Sequence, residues 1–92
     1  HPASPLRTEA AIIGAKALME SGDADGAIRL LRSPGTRERQ PEFDFLLGKA
    51  YGLRKDFAQS AAYLQRVALR HPQRPEAPDA EILLREAEAS LG

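Results

Sequence analysis

The sequence predicts an all-α fold, with five helices arranged as antiparallel pairs. Three observations predict it. Strand signals are nearly absent: Val67 is the only valine, and no stretch alternates apolar with polar residues for long. Good helix formers (Ala, Leu, Arg and Glu) dominate the chain. Proline, glycine and aspartate fall at intervals that start and stop helices. At 92 residues the chain makes one domain.

The elements follow in order. Ser4-Pro5 reads as an N-cap with proline at the first helical position, so the first helix begins there and stops at Gly22. Asp23 and Asp25 then cap a short second helix that ends before Pro34-Gly35. A polar loop, Thr36 to Gln40, follows, and Pro41 opens a third helix running to about Arg54. Asp56 caps a fourth, which ends near His71-Pro72. The segment Pro72 to Pro78 holds three of the seven prolines and is expected to be extended. A fifth helix starts at Pro78 or Asp79 and ends at Leu91-Gly92.

The chain also repeats. A shift of 33 residues lays Gly14-Ala15-Lys16-Ala17-Leu18 on Leu47-Gly48-Lys49-Ala50-Tyr51. The same shift lays Gly22-Asp23-Ala24 on Lys55-Asp56-Phe57, Ala27-Ile28 on Ser60-Ala61, and Leu31 on Leu64. Each block is a helix, a short turn carrying Asp, and a second helix, which is the pattern of an α-solenoid.

At these residues the chain resembles the tetratricopeptide repeat family. Leu47-Gly48-x-x-Tyr51, Ser60, Leu64, Val67 and Pro72 stand at the family's spacing. The first unit matches through Ala15, Leu18, Gly22, Asp23, Ala27 and Leu31, and departs where Pro34-Gly35 cuts its second helix a turn short. The resemblance covers about residues 8–92. It implies a right-handed superhelix of two repeats, about 8–40 and 41–74, closed by a capping helix over 78–92. Arg85 near the place of a small residue gives that last helix a poor register as a third unit, whose turn would fall at Gly92.

Helical periodicity supplies a candidate surface. At about 100° per residue, Glu9, Lys16 and Glu20 share one wedge of the first helix, flanked by Ile12 and Ile13. Glu42 and Lys49 share the same wedge of the third, flanked by Phe45 and Leu46, with Leu53 almost on it. In the family that the chain resembles, these first-of-pair helices line a concave groove that binds an extended peptide or a partner's helix. The candidate groove residues are therefore Ile12, Lys16, Met19, Phe45, Lys49 and Gly52. Apolar contacts are expected to supply affinity and the lysines to favour acidic groups. The alternative reading packs Ile12 and Phe45 against neighbouring helices and leaves the charges to solvent. Some peptide clamps of this family hold a terminal carboxylate with polar side chains at places that Ile12 and Leu46 occupy here, so that clamp is not expected.

Composition excludes several functions. Thirteen Lys plus Arg balance thirteen Asp plus Glu, so there is no basic excess for non-specific nucleic-acid binding or a polybasic membrane contact. The longest apolar run, Ala10 to Leu18, is interrupted by Lys16 and is too short to span a bilayer. With no cysteine there is no thiolate metal site or cysteine nucleophile. His1 and His71 have no ligand-spaced partners, so no metal and no cofactor are expected. Asp23-Ala24-Asp25-Gly26 opens like a calcium loop, but the twelfth place from Ser21 is Arg32 instead of a bidentate Glu. No serine elbow or glycine cradle is present, and no enzyme is expected.

The zero charge is a sum of unequal parts. Lys55 to Arg74 carries four basic residues and one acidic, and Glu76 to Gly92 carries five acidic and one basic. Arg66 and Arg70, beside Tyr63, could form a basic patch for an acidic partner. The simpler expectation is that the fifth helix neutralises the fourth across their contact, or that both faces are solvated.

The expected function is a protein–protein interaction or scaffold module with a protein or peptide partner. Two alternatives stand beside it. One is a structural arm of a larger cell-envelope enzyme: Phe45 to Ala87, with Arg70-His71-Pro72-x-x-Pro75-Glu76-Ala77-Pro78, is similar to the helical arms of bacterial soluble lytic transglycosylases and to repeat-bearing outer-membrane assembly factors. The other is a homo-oligomerisation module. The chain opens with His1 instead of Met, as expected of a processed piece or fragment of a larger bacterial protein, and cytoplasm and periplasm both stay open.

Overall fold

The structure, a computed structural model, describes residues 5–32 and 40–91. Among these residues it is all-α, with five helices: α1 Pro5–Glu20, α2 Ala24–Leu31, α3 Gln40–Leu53, α4 Phe57–Arg70 and α5 Ala77–Leu91. The Ser4 cap, the Pro34-Gly35 interruption, most of the loop before Gln40 and the turn at Gly92 lie outside the described residues.

The two helix–turn–helix units share their turn chemistry at the 33-residue offset. After α1, the Gly22 amide donates to Met19 O at 3.1 Å and the Asp23 amide to Leu18 O at 2.8 Å. After α3, the Lys55 amide donates to Gly52 O at 3.0 Å and the Asp56 amide to Tyr51 O at 2.9 Å. Each pair is a Schellman motif, which satisfies two terminal carbonyls and needs a left-handed residue just past the helix. Gly22 fills that place at φ 91° without a Cβ penalty, whereas Lys55 holds it at φ 67° with one. The next residue then caps the following helix: Asp23 accepts from the Gly26 amide at 2.9 Å and Asp56 from the Gln59 amide at 3.4 Å. Three-residue connections such as these fold each pair back on itself.

Small residues set how closely the pairs approach. Ala15 and Ala27 are fully buried in the first pair, and Gly48 and Ser60, their equivalents 33 residues on, are buried in the second. Ser60 Oγ donates to Gly48 O at 2.7 Å across the α3–α4 contact. A Cβ on Gly48 would stand 2.7 Å from both Cγ and Cδ2 of Leu64. α3 is central and touches each of the other four helices. One core cluster joins α1, α2 and α3 through Ile12, Ile28, Leu31, Phe43, Leu47 and Tyr51. A second joins α4 to α5 through Leu64, Val67 and Ala80, with Phe45 of α3 packed against it. Tyr51 of α3 stacks on Tyr63 of α4, with centroids 5.6 Å apart.

The structure overturns one expectation and decides between two others. The segment from Pro72 to Pro78 is not extended. The Arg74 amide donates to His71 O at 3.1 Å and the Ala77 amide to Arg74 O at 3.0 Å, which makes two successive tight turns. Pro72 and Pro75 each take the second place of a turn, where a fixed φ helps and the missing N–H is not needed. α5 accordingly begins at Ala77, with Pro78 in its first turn. Of the two simpler expectations for the charges of α4 and α5, mutual neutralisation is not seen, and the charged side chains are exposed on both helices. No ion pair joins the two helices among the described residues, and Arg66 instead lies over the Tyr63 ring at 5.0 Å. The cause is geometric: what α4 and α5 turn to each other is Leu64, Val67, Ala80, Leu83 and Leu84, so their charges point away.

Candidate functional site

A groove of about 550 Å³ lies over α3, walled by α1 on one side and α5 on the other, and closed at one end by the start of α4. Its size and chiefly apolar lining with a few charges are those of a binding cleft. α3 is placed at the bottom because Phe43, Leu47 and Ala50 fix its opposite face in the core, turning Lys49, Gly52 and Leu53 outward. Met19, Leu53, Phe57 and Leu83 supply apolar surface, and Lys16, Glu20, Lys49 and Glu86 supply charge. The Lys49 ammonium lies 5.5 Å from the centroid of the Phe45 ring, a cation–π contact one helical turn along α3.

Four of the six residues named from the sequence, Lys16, Met19, Lys49 and Gly52, meet in this groove. Ile12 does not. It is 4% exposed and belongs to the core between α1, α2 and α3, so its place on a groove floor is corrected to a packing role. Phe45 is half-buried against the α4–α5 cluster and reaches the site only through Lys49. Leu46, beside it, is buried as well. Ile12 and Phe45 share the angular face of the groove residues but lie one to two turns nearer the helix N-termini, where neighbouring helices cover that face.

The largest omission was α5, which adds Leu83, Glu86, Ala87 and Ser90. A signal was present: Glu20, Leu53 and Glu86 stand 33 residues apart in succession. The same offset puts a third turn at Glu88 and not at Gly92, and α5 breaks the repeat there by staying helical to Leu91.

Among the described residues no cluster of His, Cys, Asp and Glu could hold a metal ion, and no helix is long and apolar enough to cross a membrane. Asp44 is buried in α3 and has an interaction partner, so it belongs to the packing of the fold and not to the groove. No known family model matches this chain, and no curated protein or solved structure matches it.

Proposed function

We propose that the chain is a tetratricopeptide-like interaction module whose groove over α3 holds a peptide or helix of a protein partner. The reading is supported chiefly by the 33-residue recurrence of turn and cap hydrogen bonds, which puts α1 and α3 in equivalent places with Lys16 and Lys49 on the same open side. Affinity comes from covering Met19, Leu53 and Leu83, and orientation from the lysines against Glu20 and Glu86. The action is surface presentation without bond chemistry, on helix pairs wound as a right-handed superhelix.

The test uses a displayed library of helical and extended peptides selected on the wild-type chain. Leu53 is exposed, so Leu53→Asp should leave the helical circular dichroism unchanged. Selected peptides should bind this variant at least about tenfold more weakly, as expected for loss of an apolar anchor. Equal binding to the variant, or no peptide selected at all, overturns the proposal.

A further inference from the structure

α4 and α5 each turn a short apolar seam to solvent, flanked by charges of opposite sign. On α4 the seam is Ala62 and Leu69, with Arg66 and Arg70 along one flank. Leu69 is 76% exposed, the most exposed of the large apolar residues described. On α5 the seam is Ile82, 55% exposed, and Ala89, with Asp79 and Glu86 along one flank. Both seams have i, i+7 spacing, about 10.5 Å along a helix. Among the described residues none of these four charges has an ion-pair partner, although α4 and α5 are neighbours.

We infer that the exposed face of α4 docks on the exposed face of α5 of a second copy of this chain. With the helices antiparallel, Leu69 lies opposite Ile82 and Ala62 opposite Ala89. By helical periodicity, Arg66 then comes level with Glu86, and Arg70 within a turn of Asp79. Both flanks that meet are single-signed, which fixes the register and disfavours α4 on α4 or α5 on α5. A contact between different faces is heterologous, so each copy keeps one free α4 and one free α5 and association can propagate. The contact is separate from the groove, except that Glu86 stands on the rim of both.

Sedimentation equilibrium on the whole chain tests this. The mean mass should rise above 10.0 kDa with concentration. Raising salt from about 0.05 M to about 0.5 M should weaken association by about tenfold, because exposed charges carry the register. The basic-face variant Arg66→Glu/Arg70→Glu and the acidic-face variant Asp79→Lys/Glu86→Lys should each remain monomeric with unchanged helicity. Mixing the two should restore association, since each then offers the other a face of opposite sign. Leu69→Glu should remain monomeric, as a second check that leaves all four charges in place. A wild-type mass constant at 10.0 kDa, association that survives either double variant, or a mixture that stays monomeric each overturns the inference. Association lost in Leu53→Asp but kept in Leu69→Glu would place the contact in the groove and overturn it as well.

Discussion

Gly48→Ala is the sharpest test of how the second helix pair packs. Alanine is intrinsically the better helix former by about 1 kcal/mol, so propensity alone predicts stabilisation. The structure predicts the reverse. The new methyl would stand 2.7 Å from both Cγ and Cδ2 of Leu64, a side chain 1% exposed, and 3.4 Å from Ser60 O. Leu64 Cγ is a branch point inside the core, so relief requires α4 to move. Overpacking of this kind costs about 1–3 kcal/mol. Spreading the helices also lengthens the 2.7 Å Ser60–Gly48 hydrogen bond, worth about 1 kcal/mol. The balance is a net loss of about 1–3 kcal/mol, at roughly 4–8 °C in Tm per kcal/mol for a domain of this size. Thermal and urea unfolding followed by circular dichroism measures it. Gly14→Ala is the control, because its methyl meets only the tip of Leu30 at 2.9 Å, a half-buried side chain able to turn aside. It should be neutral or stabilising. In a Leu64→Ala background the obstacle is gone, and Gly48→Ala should then stabilise. Gly48→Ala at or above wild-type stability, or no change of sign in that background, would refute the packing described here.

Other outcomes follow from the same geometry. Lys55→Gly should raise stability by about 0.5–1 kcal/mol by removing the left-handed Cβ penalty, and Gly22→Ala should lower it by about 1 kcal/mol at the equivalent place, both read from urea midpoints. Asp23→Ala and Asp56→Ala should each cost about 1 kcal/mol of cap energy. The Asp23 loss should be the larger, because its hydrogen bond is 2.9 Å against 3.4 Å. Ile12→Asp should unfold the chain or cost more than about 3 kcal/mol, since it places an unpaired charge in the α1–α2–α3 core, whereas Leu53→Asp should change stability little.

Helix count and the turn positions were legible because they are local. An aspartate cap, a glycine past a helix and a proline at its start act within four residues of themselves. The 33-residue offset was legible for the same reason, as two copies of one local pattern. Facing was harder to read. Periodicity placed Ile12 beside Lys16 on an open wedge, but whether a wedge is open depends on which neighbour lies beside it. The proline-rich segment misled because the bias of residues before proline toward extended backbone competes with the preference of proline itself for the second place of a turn. At His71 and Arg74 two closing hydrogen bonds decided for turns.

Taken by itself, the sequence determined an all-α chain, its five helices and the 33-residue recurrence of its turns and caps. The tertiary structure alone decided that α5 completes the groove with Leu83 and Glu86, that Ile12 is core, and that the charges of α4 and α5 face away from each other. The division has one physical reason. Caps, turns and repeats are fixed by hydrogen bonds a few residues apart, whereas the exposure of a helix face is fixed by side chains that meet only after the chain has folded.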